Sequence, residues 1–197
     1  MKLLLARHGQ SEWQLRTRDG DLDSPLTPLG ESQAHRLGAY LAADAPITAI
    51  IASPLQRARR TAEIVADYLA LPVAVEPDFC EFEDWANGWA PLPVSMWDMR
   101  PNPPELTPGY SRFRARVASA LQRVVAAHAD AEQLLLVTHA GTIGAQVRIL
   151  LGSDTPRLWM NNTGLSLFEW GHSEREGSWT VHYLNRLEHL PPPLRTA

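Results

Sequence analysis

Short apolar runs alternate with longer stretches of helical spacing along most of the chain. The apolar runs predict strands at residues 3–6, 47–52, 72–75 and 134–137. Between them, apolar residues recur every three to four positions, which predicts helices over 27–44, 53–69, 111–129 and 142–151. Two late runs, 165–170 and 179–184, predict an antiparallel hairpin. The alternation indicates a layered α/β domain.

Residue types at the predicted helix ends support this division. Thr27 before Pro28, and Ser53 before Pro54, each combine an N-cap residue with a proline suited to the first helical position. Gly152 follows the predicted helix 142–151, where glycine commonly ends a helix. We therefore expect helices to begin directly after Thr27 and after Ser53.

Residues 78–109 break the alternation. This stretch contains several prolines and three tryptophans, at 85, 89 and 97. A stretch this long without a regular pattern is usually functional or disordered, and its tryptophans argue against disorder. Because no internal repeat or linker is visible, we expect a single domain spanning residues 1–197, with residues 78–109 forming a lid over its site.

Composition and charge narrow the classes of partner. The net charge is −4, so the chain has no general attraction for nucleic acid or for an anionic membrane surface. No apolar run approaches the roughly 18 residues that a membrane span needs. The single cysteine, Cys80, cannot form an internal disulfide, which fits a reducing compartment. We expect a cytoplasmic protein with a small-molecule ligand, and any anion site must be local.

Two of the predicted buried strands end in a histidine. Arg7 and His8 follow the first strand, and His139 follows the strand at 134–137. Ligands in open α/β sheets bind beyond the carboxyl ends of the strands, and neighbouring strands lie about 4.8 Å apart. Arg57 belongs to the first turn of the helix after the second strand and would lie on the same rim. Two histidines and two arginines would suit a doubly negative tetrahedral group, and phosphate is the natural ligand.

A phosphoryl-transfer reaction at such a site needs a nucleophile, positive charge on the phosphoryl oxygens and an acid for the leaving oxygen. His8 can be the nucleophile, and the two arginines with His139 can supply the charge. A metal site is not expected, because His-x-x-x-His and Cys-x-x-Cys spacings are missing and two arginines would repel a cation. For the acid we favour Glu81, since its apolar neighbours would raise its pKa, over Glu83 and Asp84.

The chain resembles the histidine phosphatase superfamily, in its phosphoglycerate-mutase-like branch. The matching segments are Leu5–Trp13, Pro25–Gly30, Ser53–Ala62, the region of Glu81, Val137–Gly141 and Asn161. The resemblance implies a three-layer α/β/α sandwich with a mostly parallel sheet and a late antiparallel strand. It also implies hydrolysis of a small phosphomonoester without a cofactor, through a phosphohistidine on His8 and with Glu81 as proton donor. The implied substrate-binding residues are Arg7, Gly9, Ser11, Gln14, Arg57, His139 and Ala140.

Three departures from the family pattern concern the substrate. Gln14 stands where the family usually has Asn, so its contact with phosphate is an open question. The segment after Glu81 lacks the usual Trp-Glu-Gly sequence, which leaves Glu83 open as the acid. The stretch 86–109 contains a single cation, Arg100, but tryptophans and two methionines. This composition favours a phosphomonoester with a partly apolar or aromatic leaving group, although the tryptophans could equally form a small core under the lid.

Two other functions remain open. A bisphosphoglycerate-dependent phosphoglycerate mutase would have to bind a second phosphate and a carboxylate. Several cations would be expected for this in the stretch 86–109, which contains only Arg100. A catalytically weak phosphate-binding protein is the alternative that Gln14 and the altered acid region suggest. The oligomeric state does not follow from the sequence.

Overall fold

The computed structural model describes residues 1–15, 22–83, 106–171 and 177–197. Its strands β1 to β6 are Lys2–Arg7, Ile47–Ala52, Val73–Val75, Gln133–Thr138, Leu165–Trp170 and Trp179–Arg186. Its helices α1 to α5 are Glu12–Leu15, Pro28–Asp44, Gln56–Leu69, Pro108–Ala127 and Ala140–Leu151. Short 3-10 turns cover Pro77–Phe79 and Pro192–Leu194. The order of elements therefore agrees with the order predicted from the apolar pattern.

The strands form a mixed sheet in the order β3-β2-β4-β1-β5-β6. β1 pairs in parallel with β4, and β2 pairs in parallel with both β4 and β3. The two late strands run antiparallel, with β5 beside β1 and β6 beside β5. This arrangement confirms the predicted mostly parallel sheet and its late antiparallel part. It also makes β1 and β4 neighbours, as a shared site for the two histidines requires.

Helices cover both faces of the sheet. On one face, Leu4 and Ile50 pack with Leu37 of α2 and Val65 of α3. On the other face, Leu3 and Leu136 pack with apolar residues of α4 and α5, among them Leu121, Val124, Ile143 and Val147. The alternation along each strand thus divides the core into two layers, which confirms the predicted three-layer sandwich. Among the described residues, no helix is long and apolar enough to cross a membrane.

The two predicted N-caps differ in outcome. Thr27 caps α2, because its side chain accepts a hydrogen bond from the Gly30 amide. Ser53 does not cap α3, which begins at Gln56 after Leu55 and has no side-chain cap. The Ser53 hydroxyl is instead 2.7 Å from His139 Nε2. The prediction that a helix begins directly after Ser53 is therefore wrong, and the side chain faces the site.

Smaller differences concern element boundaries. The short helix α1, over Glu12–Leu15, lies in a stretch for which the apolar pattern predicts no helix. α4 begins at Pro108 rather than 111, with Thr107 accepting from the Tyr110 amide as its N-cap. Gly152 ends α5 in the left-handed conformation, as predicted. Most of the expected lid, including the tryptophans at 85, 89 and 97, lies outside the described residues.

Candidate active site

The carboxyl ends of three neighbouring parallel strands bring three polar side chains together. Ser53 follows β2, His139 follows β4 and His8 follows β1. The two imidazole rings have centroids 5.2 Å apart, and the His8 amide donates to the Thr138 carbonyl at 2.9 Å. All three side chains are buried. The register of the sheet therefore produces the expected pair of histidines.

His8 has one ring nitrogen bound to backbone and one facing an arginine. Its Nδ1 lies 2.6 Å from the Gly9 carbonyl oxygen, which can only accept, so Nδ1 carries the proton. Arg57 Nε donates to His8 Nε2 at 3.2 Å. In this tautomer Nε2 is unprotonated, and its electron pair accepts the hydrogen bond from Arg57. An unprotonated ring nitrogen of this kind can act as a nucleophile.

Two buried guanidinium groups adjoin the histidines. Arg57 lies on the first turn of α3, and it also donates to the Leu22 carbonyl. Arg7 ends β1 and donates to the Met160 carbonyl. Burial lowers the pKa of Arg7 to about 10 and lowers the pKa of Arg57, which leaves both groups charged at neutral pH. Two fixed positive charges therefore face the space beside His8.

The same arginines affect the charge state of the histidines. Burial lowers the pKa of His8 well below its ordinary value, and the charges of Arg57 and Arg7 lower it further. Burial and the two arginines act on the pKa of His139 in the same direction. Both imidazoles are therefore neutral at pH 7, and His8 keeps the electron pair that a nucleophile needs.

Glu81 faces the histidines from the irregular segment after the 3-10 turn. Its Oε2 accepts from the Gly141 amide at 3.0 Å, and its Oε1 accepts from the Phe82 amide at 2.9 Å. Burial raises the pKa of the Glu81 carboxyl, although these two hydrogen bonds, Arg57 and Arg7 act in the opposite direction. The carboxyl group is thus held beside the N-terminus of α5, next to His139.

Glycine at position 141 is required by this contact. A Cβ atom there would overlap Glu81 Oε1, so any side chain at 141 would displace the carboxylate from the amide it binds. The absence of a side chain at Gly141 thus lets the Glu81 carboxyl group approach the N-terminus of α5 closely.

His8, the two arginines and Glu81 line a cavity of about 510 Å³. Arg7, His8, Arg57 and Glu81 form its polar part, with Gln14 and Glu83 at the same wall. Its apolar part comes from Trp13, Leu22, Leu55, Phe82, Leu158 and Trp159. Trp159 is 73% exposed, whereas Leu158 and Met160 beside it are largely covered. The cavity lining therefore has two parts. We call Arg7, His8, Arg57 and Glu81 the charged end, and the apolar residues around the exposed Trp159 the apolar mouth.

Some predicted substrate-binding residues have different surroundings from those expected. Ala140 lines the cavity, but Gly9, Ser11 and His139 are not among its lining residues. The Gly9 amide donates to Thr61 Oγ1 at 3.1 Å, and the Ser11 amide donates to Gln14 Oε1 at 3.0 Å. Both amides donate inside the protein. That Gly9 and Ser11 contact substrate stays a prediction.

The Gln14 amide lines the cavity but is bound by an asparagine. Gln14 Nε2 donates to Asn162 Oδ1 at 3.1 Å, and Asn162 Nδ2 donates to Gln14 Oε1 and to the His8 carbonyl. Asn161, which the sequence comparison suggested, instead bonds to Asn185 and to the Thr196 carbonyl. Asn162, rather than Asn161, thus contacts Gln14 and the backbone of His8.

Sequence reasoning missed Ser53 and Asn162 as site residues. The hydroxyl of Ser53 can donate to or accept from His139 Nε2, so it orients that ring in either tautomer. A signal for Ser53 was present, because it directly follows an apolar strand in the same way as His8 and His139. No comparable signal marked Asn162, which follows an irregular stretch.

The remaining histidines in the described part of the chain have partners that the sequence did not indicate. His189 is 8% exposed and bonds to Thr163 Oγ1 at 3.0 Å. Burial lowers its pKa to about 4. His182 pairs with Glu169, His35 with Tyr68, and His128 bonds to a backbone carbonyl. None of these contacts joins the cavity. Among the described residues, no group of three or more His, Cys, Asp or Glu side chains is arranged to hold a metal ion.

Residues 3–185 match the family model of the histidine phosphatase superfamily, branch 1, and the chain belongs to this superfamily. "Putative phosphoserine phosphatase 2" of Hydrogenobacter thermophilus is 36% identical, with 95% of this chain and 97% of that protein covered. "Probable phosphoglycerate mutase GpmB" of Photorhabdus laumondii is 32% identical, with 98% and 96% covered.

Solved structures support the same assignment. The mycobacterial glucosyl-3-phosphoglycerate phosphatase in complex with VO3 superposes with a TM-score of 0.73 at 25% identity, covering 93% of this chain and 98% of that one. The predicted fold and the predicted class of enzyme, a histidine phosphatase acting on phosphoric monoesters, are confirmed.

Proposed function

We propose that this chain is a metal-independent phosphatase that hydrolyses a small phosphomonoester through a phosphohistidine on His8. One observation carries the proposal: His8 Nδ1 is bound to a backbone carbonyl, and Nε2 is held beside Arg57 at the charged end of the cavity. A neutral imidazole in this tautomer, flanked by two arginines, is suited to attack a phosphoryl group. The same arginines disfavour a metal cation at this position.

The first half of the reaction transfers the phosphoryl group to the enzyme. His8 Nε2 attacks phosphorus while the bond from phosphorus to the leaving oxygen breaks. The carboxyl proton of Glu81 passes to that oxygen, so that the leaving group departs as a neutral alcohol. Arg7, Arg57 and His139 stabilise the charge on the three remaining oxygens.

The second half regenerates the enzyme. Water attacks the phosphorus of the phosphohistidine, and the Glu81 carboxylate takes one of its protons. The nitrogen–phosphorus bond breaks, phosphate leaves and the electron pair returns to His8 Nε2. The Gly9 carbonyl accepts from Nδ1 throughout, and it stabilises the ring while Nε2 carries the phosphoryl group.

The cavity wall supports a leaving group with an apolar or aromatic part. Trp13, Leu22 and Leu55 line the cavity on the side of α1 and α3, whereas Leu158 and Trp159 line it after α5. Ligand sites of this kind bind the bulk of a ligand on apolar surface and orient it with a few polar groups. The charged end would bind the phosphoryl group and the apolar mouth would bind the alcohol.

Trapping the intermediate tests this mechanism. Wild-type protein quenched during turnover of ³²P-labelled phenyl phosphate should carry acid-labile, alkali-stable phosphate, and EDTA should not reduce the labelling. His8→Ala should carry none. His182→Gln is the matched control, because His182 bonds to Glu169 on the late hairpin and should leave labelling unchanged. Labelling that persists in His8→Ala would show that another residue accepts the phosphoryl group.

The relative named as a mutase supports a second candidate, a phosphoglycerate mutase. The described part of the cavity wall contains two arginines, Arg7 and Arg57, and both face His8. A mutase needs further cations for a second phosphate and a carboxylate. Incubation with 3-phosphoglycerate, with and without 2,3-bisphosphoglycerate, separates the candidates: isomerisation that depends on the bisphosphate supports the mutase, and phosphate release alone supports the phosphatase.

A further inference from the structure

The segment that carries Glu81 belongs to no helix or strand. The 3-10 turn ends at Phe79, and residues 80–83 are irregular. His8 and His139, by contrast, directly follow paired strands of the sheet. The position of Glu81 therefore depends on contacts with other elements, both with the Gly141 amide and with side chains that bind this segment.

Arg116 of α4 makes the most extensive of these contacts. Its Nη1 donates to the Asp78 carbonyl at 2.7 Å, and its Nη2 donates to the Cys80 carbonyl at 3.2 Å. The Glu81 carbonyl lies 3.5 Å from the same Nη2. A planar guanidinium can reach carbonyls on both sides of a turn at once, which an ammonium group cannot do with the same geometry.

Neighbouring contacts fix the rest of the segment. The guanidinium carbon of Arg116 lies 5.3 Å from the centroid of the Phe113 ring, and Phe113 packs on Phe82 with ring centroids 5.1 Å apart. The Thr142 hydroxyl donates to the Cys80 carbonyl at 3.1 Å. α4 thus holds the residues on both sides of Glu81, and Arg116 provides the polar part of that contact.

In the sequence, Arg112, Arg114 and Arg116 alternate with the apolar positions of a predicted amphipathic helix, which predicts a solvated helix face. That expectation holds for Arg112, which is exposed. It is wrong for Arg116, whose guanidinium binds backbone carbonyls, and for Arg114, which pairs with Asp154 at 2.7 Å. The three arginines share a helix but have different functions.

We infer that Arg116 is a positioning residue for the proton donor, because it binds the backbone on which Glu81 is carried. This inference rests on the proposed function, in which Glu81 protonates the leaving oxygen. Arg116 acts through Glu81, since it is not among the residues lining the active-site cavity. Loss of Arg116 should therefore affect the step that Glu81 serves more than it affects phosphoryl binding.

The test compares two leaving groups. Nitrophenolate needs little protonation, whereas an alkoxide needs a proton as it departs. Arg116→Met should lower kcat/KM for an alkyl phosphate by about 10- to 100-fold, the size expected when a catalytic group is misplaced by about 1 Å. It should lower kcat/KM for 4-nitrophenyl phosphate by less than about threefold. Arg116→Lys, which keeps the charge but not the fork, should recover part of the alkyl phosphate activity.

Arg112→Met is the matched control, one helical turn away on an exposed position, and should change neither substrate. Equal losses for both substrates in folded Arg116→Met protein, judged by circular dichroism and melting temperature, would overturn the inference. So would a full additional loss when Arg116→Met is combined with Glu81→Gln, because a residue that acts through Glu81 has little left to affect in that background.

The same experiment distinguishes a wrong assignment of Glu81 as the acid from a wrong inference about Arg116. If Glu81→Gln alone loses activity equally on both substrates, the proposed acid is wrong. If Glu81→Gln shows the leaving-group dependence and Arg116→Met does not, the acid stands and the inference about Arg116 is wrong.

Discussion

The two ends of the active site are built in different ways. At the phosphoryl end, His8 and His139 directly follow paired strands, so the sheet sets the distance between them. Arg57 joins them from the first turn of α3. The acid end uses an irregular segment, and Glu81 is placed by a helix amide and by carbonyl contacts from α4. We infer that the sheet and α3 fix the groups that stabilise charge. The position of Glu81, the proposed proton donor, depends instead on a few hydrogen bonds that single substitutions can remove.

Removing charge at the phosphoryl end should have the largest effect. Arg57→Met should lower kcat about 10²- to 10³-fold, in line with the loss of one preorganised donor to a developing oxyanion. Because the phosphoryl oxygens need this charge whatever group departs, alkyl and nitrophenyl phosphates should suffer equally. Steady-state kinetics on both substrates measures the effect.

Arg60→Met is the control for this substitution. Arg60 lies on the same helix, and its ion pair with Glu31 is about half-exposed and contributes little. A loss in Arg57→Met that falls mainly on the alkyl substrate would contradict the division between the two ends.

A smaller and selective effect should follow from changes to the acid. Glu81→Gln should lower kcat for an alkyl phosphate about 10²-fold, at the lower end of the contributions known for general acids, and should affect nitrophenyl phosphate only slightly. Glu83→Gln is the control, since Glu83 is an exposed carboxylate at the same wall. If Glu83→Gln gives the selective loss instead, Glu83 is the acid.

The pH dependence of the wild type should show the same division. Under the proposed mechanism Glu81 acts in its protonated form. Because burial raises the pKa of Glu81, alkyl phosphate turnover should fall as the pH rises through that pKa. Nitrophenyl phosphate turnover should depend less on this ionisation. Since the pKa of His8 is lowered, neither rate should fall on the acid side at the ordinary histidine value of 6.5. Profiles of kcat/KM against pH for both substrates measure this.

The smallest effect should come from the apolar mouth of the cavity. Trp159→Ala should raise KM for an aryl phosphate about fivefold, equivalent to about 1 kcal/mol of lost ring contact, and should leave kcat nearly unchanged. Trp170→Ala is the control, because Trp170 is also exposed but packs on Trp179 in the late hairpin. An unchanged KM in Trp159→Ala would mean that this wall does not bind the leaving group.

The phosphoryl end is the part of the site that could be predicted from the sequence. A buried strand is visible as an apolar run, and the residue that follows it has a defined place at the sheet edge. This reasoning placed His8 and His139 together, and the same reasoning applied to Ser53 would have placed a third residue there. The Ser53-Pro54 pair instead favours an N-cap role for Ser53, which is why the sequence does not assign this residue to the site.

At the acid end, the sequence predicts Glu81 but not the contacts that hold it. The apolar neighbours of Glu81 indicate a raised pKa for its carboxyl group. No spacing in the sequence indicates that Arg116 binds the carbonyls of Asp78 and Cys80, which precede Glu81. A hydrogen bond from a side chain to the backbone of a residue far away in the chain produces no periodic pattern in the sequence. The same limitation explains His189, whose burial against Thr163 follows from tertiary packing alone.

The hydrogen bond between His8 Nδ1 and the Gly9 carbonyl has a consequence for the stereochemistry of the reaction. It leaves Nε2 as the one reactive nitrogen of the ring, and Nε2 approaches phosphorus from a single side. Under the proposed mechanism, the departing alcohol and the incoming water must both occupy the opposite side, where Glu81 lies. Each in-line displacement inverts the configuration at phosphorus, so the two steps together return the phosphate with its original handedness.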